Sequence, residues 1–260
     1  YLGKIYTYPS EALIENYQQI VDEERLLEEE YETLKDLPCE TLDGYRLALY
    51  VNTGLTADVA RSLDRGAEGI GLYRTEVPFM VRDRFPTEAE QVVIYRQQLE
   101  GFAPAPVTVR TLDIGGDKAL SYFPINEANP FLGWRGIRVT LDHLEIFMAQ
   151  IRAMIKASAD LHNLKIMLPM ISNVAEVEEA LALIRRGYAE VKEEGYNVKM
   201  PKVGVMIEIP AAVYQVKELA ELVDFLSVGS TDLTQYLLAV DRNNPRVADL
   251  YNSFHPSVLR

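Results

Sequence analysis

From residue 46 onward, short runs of apolar residues alternate with longer stretches in which apolar and polar positions are mixed. The runs are residues 46–52, 69–74, 107–113, 164–170, 202–208 and 223–229. Each run is brief and nearly all apolar, which is typical of strands that are covered on both faces. The pattern therefore predicts a strand for each run, and the helical stretches between them predict a parallel sheet.

Helix-start signals precede several of the intervening stretches. In three places a residue that can cap a helix precedes a glutamate by three positions, as in a capping box. These pairs are Thr87 and Glu90, Asp142 and Glu145, and Asn173 and Glu176. The helix after Asn173 is predicted to end at Gly195. Repeated strand–helix units predict an α/β fold, a TIM (β/α)₈ barrel truncated after about six β/α units.

Residues 10–36 predict one long acidic helix ahead of the sheet. Ser10 suits the N-cap position, and apolar residues recur at seven-residue spacing in two rows along the helix. We interpret this segment as a linker helix between domains, although a solvated helix laid on the next domain would show the same pattern. The predicted organisation is a linker helix over 1–40 and a barrel over 41–260 that is incomplete at its C-terminus.

The charge balance is acidic, with 39 Asp plus Glu against 26 Lys plus Arg and a net charge of −13. This balance argues against nucleic acid or an anionic membrane as a partner. Cys39 is the single cysteine, which excludes an intrachain disulfide and favours a reducing, cytoplasmic compartment. No apolar run approaches the ~20 residues that a membrane span needs. The chain begins at Tyr1, and we expect it to be a piece of a longer protein.

Charged residues follow four of the predicted strands: Arg74, Arg110, Glu208 and Asp232. The carboxyl ends of parallel strands meet at one edge, where α/β proteins place their sites. Arginine matches phosphate and carboxylate oxygens, and two carboxylates suit Mg²⁺ with ligand oxygens completing its shell. The alternative is structural: surface arginines paired with neighbouring acids, and Glu208 in a salt bridge to a barrel arginine. We favour a site for a phosphorylated acid and a divalent metal.

Two further sets of residues complete the candidate chemistry. Gly115 and Gly116 follow Arg110, and paired glycines let a backbone approach a ligand closely. The three histidines lie in helical or loop contexts without metal-ligand spacing, and we interpret them as surface residues: His143, His162 and His255.

Five motifs together resemble one family. They are GIGLYRTEVPFM, VRTLDIGGDK, NPFLGWRGIR, GVMIEIPAA and GSTDLTQYLLAVDR. In this order they resemble the phosphoenolpyruvate-binding C-terminal domain of enzyme I of the bacterial phosphotransferase system. The stretch LAVDRNNPRVADLYNSFHPSVL looks most like the nitrogen-related paralogue. The resemblance covers essentially the whole chain.

The resemblance implies a reaction and a set of residues. Enzyme I passes the phosphoryl group of phosphoenolpyruvate to a histidine and then to a small histidine-containing phosphocarrier protein. The family's Mg²⁺ ligands match Glu208 and Asp232. Its substrate-binding residues match Arg74, Arg110, Arg135, Arg242, Lys118 and, at an altered position, Thr231. The family's domain also forms a dimer, so the resemblance implies a homodimer.

Three departures from the family pattern bear on activity. Thr231 stands where the family has Asn, and its hydroxyl lacks the reach of an amide. The family's proton-donating cysteine belongs to a later strand, whereas Cys39 lies in the linker. The phosphoryl-accepting histidine belongs to an N-terminal domain, and none of this chain's three histidines matches its motif. We therefore expect no catalytic residue in this segment, which alone would not complete the reaction.

Two other interpretations stay open at the level of sequence. One is a barrel of the pyruvate phosphate dikinase or phosphoenolpyruvate synthase type. The other is a non-catalytic dimerisation and regulatory module. A sheet of six strands would also leave two open edges, so we expect the isolated chain to be marginally stable, to aggregate, or to close through a partner.

Overall fold

A computed structural model describes residues 5–54 and 58–260, with only the backbone of residue 58, so residues 1–4 of the predicted linker segment lie outside the described residues. The described strands form one parallel sheet in the order β1-β2-β3-β4-β5-β6, so each strand lies beside its neighbours in sequence. The strands are β1 (Val51–Thr53), β2 (Ile70–Tyr73), β3 (Val107–Arg110), β4 (Leu164–Leu168), β5 (Lys202–Ile207) and β6 (Phe225–Val228). The sheet is curled and helices connect its strands, which confirms the predicted α/β class and matches a partial TIM barrel.

The described helices lie before, between and after the strands, and those between strands cover the outside of the sheet. Before β4 they are α1 (Glu11–Leu34), α2 (Asp58–Asp64), α3 (Glu76–Met80), α4 (Glu88–Phe102), α5 (Ile137–Asp142) and α6 (Leu144–Ala157). In the second half they are α7 (Val174–Glu193), α8 (Pro210–Tyr214), α9 (Val216–Leu222), α10 (Ser230–Leu238) and α11 (Pro256–Leu259). Short 3₁₀ helices cover Pro130–Leu132 and Ala248–Leu250.

All six predicted strands are present, and most are shorter than their apolar runs. The largest difference lies at β1, which begins at Val51 although the run begins at residue 46. The preceding residues are exposed and pair locally, because Leu47 donates its backbone N–H to Cys39 at 2.8 Å. An apolar run at the edge of a sheet therefore overstated the length of the strand.

The main core lies between the sheet and its covering helices. Val107, Val109 and Ile166 project outward from the strands and are fully buried in one cluster with Tyr95 of α4 and Ile151 of α6. These alternate positions leave the intervening residues of the same strands facing the concave side. The packing thus directs Arg110, which follows Val109, toward the inside of the curl.

Two of the three predicted capping boxes are confirmed. Thr87 and Glu90 form one at the start of α4, and Asn173 forms the other with Glu176 at the start of α7. The third prediction is wrong, because Asp142 is the last residue of α5, and α6 begins two residues later without it. Its carboxylate instead accepts a hydrogen bond from the Trp134 indole at 2.7 Å, a partner that sequence spacing could not reveal.

The predicted helix over residues 10–36 is present as α1. Ser10 caps it by accepting a hydrogen bond from the Leu13 backbone N–H at 3.3 Å. No residue of α1 is buried in the described structure, and its apolar rows lie open to solvent. An exposed ion pair between Arg65 and Glu28, at 3.5 Å, links the helix to the segment after α2.

Within the described residues, β1 and β6 are the two edges of the sheet. β6 is less buried than the inner strands, with Leu226 and Val228 exposed. In the part of the chain that the structure describes, no helix has the length and apolar character needed to cross a membrane.

Candidate anion and metal site at the strand ends

A cavity of about 490 Å³ opens on the concave side, at the carboxyl ends of the strands. It collects most of the charged positions singled out in the sequence, although they are scattered over more than 160 residues of chain. The predicted site residues that line it are Arg74, Arg110, Lys118, Glu208, Thr231, Asp232 and Arg242. Arg135 does not line it. Tyr50 and Asn52, from the first strand region, complete the wall on one side.

Arg110, at the end of β3, is nearly buried and doubly paired. Its Nη2 lies 2.6 Å from Glu76 Oε1 and 3.0 Å from Asp113 Oδ2. The Thr75 hydroxyl also donates to the Arg110 backbone carbonyl at 3.0 Å, which ties α3 to β3. Burial alone would lower the pKa of Arg110, but Asp113 and Glu76 outweigh it and raise that pKa above its usual value. The guanidinium therefore stays charged and fixed in orientation.

Asp113 is fully buried and contacts cations from three directions. Besides Arg110, it pairs with Lys118 and with Arg135, whose Nε lies 3.2 Å from Asp113 Oδ1. Burial by itself would raise the pKa of Asp113, but Arg110, Lys118 and Arg135 together hold it well below its usual range. Asp113 is thus an anion outside the cavity lining that pairs with three cations, of which Arg110 and Lys118 line the cavity.

Arg135 lies behind the cavity between two acids. Its Nη1 is 2.9 Å from Asp232 Oδ1, and its Nε contacts Asp113 on the other side. Burial would lower the pKa of Arg135, but Asp113 and Asp232 raise it well above its ordinary value. This buried guanidinium connects the segment after β3 to the start of α10.

The two remaining arginines differ in their partners. Arg242, after α10, lies 3.1 Å from Asp117 and 3.5 Å from Asp232. Arg74, after β2, is exposed and has no ion pair with any described residue. Because each of the other cavity cations already faces a carboxylate, Arg74 is the most available positive charge for a ligand anion.

Glu208, after β5, is fully buried without a cationic partner. Its Oε1 accepts the Met170 backbone N–H at 2.6 Å, and its Oε2 has no hydrogen-bond partner among the described residues. Burial first, and then the charge of Asp113, raise the pKa of Glu208 to about 7, although Arg110 opposes the shift. The alternative interpretation of Glu208, a salt bridge to a barrel arginine, is absent from the described structure.

The carboxylates of Glu208 and Asp232 fit a hard divalent cation. In the described residues no group of three or more His, Cys, Asp or Glu side chains could hold a metal by itself. Mg²⁺ commonly takes one or two carboxylates and completes its shell with water and substrate oxygens. The unpartnered Oε2 of buried Glu208, on the wall shared with Asp232, is the observation that supports this fit.

Two groups of the site were missed in the sequence. Glu76 lies in the TEVPFM motif and Asp113 in the TLDIGG motif, and both are almost wholly buried acids. The detectable signal was an acid close behind an apolar strand, since Glu76 and Asp113 each lie three residues after the end of β2 or β3. The hydrogen bond from the Met170 backbone N–H to Glu208 could not be predicted from the sequence, because it depends on the left-handed backbone conformation of Met170.

Gly115 and Gly116 do not line the cavity, and their approach to a ligand stays a prediction. Gly115 has a positive φ of 104°, and a Cβ there would lie 2.5 Å from the Trp134 carbonyl oxygen. Gly115 therefore serves the close packing of the Arg135 segment. The histidines also lie away from the cavity: His162 is exposed, His143 contacts Glu145 at 3.0 Å, and His255 caps α11.

A curled parallel sheet that brings paired cations and acids to the carboxyl ends of its strands defines an α/β-barrel protein with a charged cavity at the strand ends. The family described as "PEP-utilising enzyme, PEP-binding domain" matches residues 28–260. The chain belongs to this family, which confirms the resemblance stated above.

Curated relatives align with nearly all of the chain. "Phosphoenolpyruvate-dependent phosphotransferase system" from Escherichia coli K12 is 49% identical over 261 residues, covering 100% of this chain and 35% of that protein. "Phosphoenolpyruvate-protein phosphotransferase" from Haemophilus influenzae is 47% identical over 264 residues, covering 99% of this chain and 45% of that protein. The protein of the same name from Staphylococcus carnosus is 42% identical over 260 residues, with the same coverage. The chain thus spans between about a third and just under half of these relatives.

Proposed function

We propose that this chain is the phosphoenolpyruvate-binding part of a phosphoenolpyruvate-protein phosphotransferase, enzyme I of a phosphotransferase system. The observation that carries the proposal is the single cavity shared by Arg74, Arg110, Glu208 and Asp232. It occurs in a chain that is 42–49% identical, over almost its full length, to proteins named for this activity.

We propose that different residues of the cavity bind the two charged groups of a small phosphorylated acid. Arg74 and Arg110 are proposed to bind the phosphoryl group, and Arg242 with the Thr231 hydroxyl to bind the carboxylate. Arginine suits both groups because its planar fork matches two oxygens at once. Lys118 is held by Asp113 and lies 3.4 Å from Glu76, so it would add positive charge to the cavity from one fixed place.

Glu208 and Asp232 are the residues that would hold Mg²⁺. The ion would supply positive charge to the phosphoryl oxygens, which suits a transfer that depends on positioning and charge neutralisation. The residues of this chain would bind phosphoenolpyruvate and orient its phosphoryl group. Arg110 is rigid because it is buried between Glu76 and Asp113, whereas exposed Arg74 can adjust to the ligand.

The wider assignment is also a proposal. In it, residues 1–40 are a linker helix and residues 41–260 the barrel, and the phosphoryl group passes to a histidine outside this segment and then to a histidine-containing phosphocarrier protein. We further propose that the protein belongs to the nitrogen-related branch, which the resemblance of residues 238–259 supports. We also propose that it is a cytoplasmic homodimer. Phosphoryl transfer to carriers of each branch, from a longer protein that includes the accepting histidine, would test the branch, and sedimentation would test the dimer.

Calorimetric titration of this chain with phosphoenolpyruvate, with and without Mg²⁺, tests the central claim. We expect binding that strengthens with Mg²⁺ and that is lost in Arg110→Ala and Glu208→Ala. Unchanged affinity in both variants would reject the site. No binding by a folded wild-type chain would instead favour the non-catalytic dimerisation module.

A further inference from the structure

The guanidinium of Arg135 has no donor left for a substrate. Arginine carries five N–H groups. Nε contacts Asp113 Oδ1 at 3.2 Å, and Nη2 contacts Asp113 Oδ2 and Asp232 Oδ2, each at 3.3 Å. Nη1 contacts Asp232 Oδ1 at 2.9 Å and the Tyr236 hydroxyl at 3.4 Å. These five contacts match the five donors, and the residue is fully buried.

The backbone around Arg135 keeps it behind the cavity wall. Gly136 has a positive φ of 58° and donates its N–H to the Ile114 carbonyl at 3.0 Å. Gly115 lies so close that a Cβ would approach Arg135 Cα to 2.9 Å. These contacts hold the loop before α5 under the segment that follows β3. Movement of the side chain into the cavity would break its pairs with both acids.

Asp232 is the residue that Arg135 orients most directly. Asp232 lies in the first turn of α10, and Tyr236 follows one helical turn later on the same face, so both meet Arg135. An ionised carboxylate has about four lone-pair sites on its two oxygens. Arg135 occupies one on each oxygen, and Arg242 approaches Oδ1 at 3.5 Å. One lone pair, on Oδ2, is left for a cation on the cavity side.

We infer that Arg135 is a positioning residue and not a substrate ligand: its two-sided fork fixes the Asp232 carboxylate in the orientation that receives the divalent cation. The inference rests on the proposed function, and it departs from the substrate-binding role that the family resemblance implies. Partners behind a metal-binding side chain orient it, and their loss typically costs about 10–100-fold in metal affinity.

Arg135→Lys separates orientation from charge, because lysine keeps the positive charge and loses the planar fork. Metal affinity is measured without substrate, by water proton relaxation with Mn²⁺ as the probe for the Mg²⁺ site. We expect the Mn²⁺ dissociation constant to rise about 10–100-fold. Phosphoenolpyruvate affinity measured in EDTA is expected to stay within about twofold of wild type, because no Arg135 donor is available for it.

Arg74→Lys is the matched variant, since it makes the same change at an unpaired cavity arginine. It is expected to weaken phosphoenolpyruvate binding in EDTA and to leave Mn²⁺ affinity unchanged. If Arg135→Lys weakened substrate binding in EDTA as Arg74→Lys does, or left Mn²⁺ affinity unchanged, the inference would be overturned. Wild type that bound Mn²⁺ but no phosphoenolpyruvate would overturn the proposed function instead.

The fold of each variant can be followed through Trp134, the single tryptophan, which adjoins Arg135. If Arg135→Lys does not fold, Tyr236→Phe is the milder test: it removes one acceptor of Arg135 and the hydrogen bond from Tyr236 to the Phe131 carbonyl, and it changes no charge. A rise of a few-fold in the Mn²⁺ dissociation constant would support the inference. Mn²⁺ affinity equal to wild type in folded Tyr236→Phe would reject it.

Discussion

The backbone N–H of Met170 lies 2.6 Å from Glu208 Oε1 and is the hydrogen bond that this buried carboxylate receives in the described structure. The second oxygen, Oε2, is buried without a partner among the described residues. One hydrogen bond does not offset the cost of burying a full negative charge. This imbalance is why burial, with help from Asp113, raises the pKa of Glu208 to about 7.

The raised pKa of Glu208 predicts a pH-dependent stability in the absence of metal. Its ordinary pKa of 4.5 applies in the unfolded chain, so between pH 4.5 and about 7 the folded protein holds a proton that the unfolded chain releases. The contribution of Glu208 to the free energy of unfolding is complete below pH 4.5 and is lost as pH rises through about 7. Denaturant unfolding in EDTA at pH 5, 6, 7 and 8 measures it.

Glu208→Gln is the control for this prediction, because the amide does not titrate. We expect the unfolding free energy of the Glu208→Gln variant, relative to that of the wild-type chain, to increase as pH rises. Parallel pH profiles for the two chains would show that Glu208 titrates at its ordinary pKa in the folded protein.

Arg74 is predicted to contribute binding energy without contributing stability. It is exposed and has no ion pair among the described residues, so Arg74→Met leaves no buried acid without its partner. A hydrogen bond to a charged group is worth about 1.5–3 kcal/mol, so phosphoenolpyruvate affinity should fall about 10–150-fold. Calorimetry measures the affinity, and thermal unfolding should be unchanged.

Arg186→Met makes the same chemical change on the outside of α7, where Arg186 pairs with Glu190 at 2.8 Å. It alters net charge equally but lies outside the cavity. We expect wild-type affinity for this variant. A similar loss in both variants would mean that overall charge, and not contact with Arg74, governs binding.

The sequence predicted the sheet well because burial dictates the residues of inner strands. β3, β4 and β5 have covered faces, and their apolar runs have no other stable placement. β1 lies at an edge, where local pairing competes with the sheet, so its beginning was misplaced. The Asp142 cap failed for a related reason, because the Trp134 indole, from the loop before α5, engaged that carboxylate.

The sequence predicted which residues form the site better than it predicted the ion pairs between them. Residues after parallel strands converge by geometry, which is why Arg74, Arg110, Glu208 and Asp232 could be grouped in advance. Which cation meets which acid depends on side-chain reach and on loop packing. The burial of Arg135 behind the wall, and the pairing of three cations around one buried acid, arise from contacts between separate segments of the chain.

Gly229, between β6 and α10, is predicted to set the position of the Glu208 carboxylate. A Cβ at Gly229 would lie 2.7 Å from Glu208 Cβ and 2.8 Å from its Oε2. The backbone itself permits alanine, because φ is −84°. Gly229→Ala should therefore displace the carboxylate and weaken Mg²⁺-dependent phosphoenolpyruvate binding by about tenfold or more, as displaced metal-site groups do. Titration with and without Mg²⁺ measures this.

Gly195→Ala is the control for Gly229→Ala, because it is expected to change stability and not ligand affinity. Gly195 has a positive φ of 92° and open space around it, so alanine would strain the backbone without touching another group. We expect lower thermal stability with unchanged ligand affinity, whereas Gly229→Ala should lower affinity. Unchanged Mg²⁺-dependent binding in Gly229→Ala would show that Glu208 tolerates the displacement.

The barrel is predicted to fold without the linker helix. No residue of α1 is buried in the described structure, and its link through Arg65 and Glu28 is an exposed ion pair. After α1, a Cβ at Gly66 would lie 3.0 Å from the Lys35 carbonyl oxygen, and the Cys39 carbonyl accepts the Leu47 N–H. A chain shortened to residues 38–260 should keep the unfolding midpoint and the phosphoenolpyruvate affinity of the longer chain, because exposed surface contributes little to either. Thermal unfolding and calorimetry of the two chains decide this, and a lower midpoint in the shorter chain would mean that the apolar rows of α1 are covered in solution.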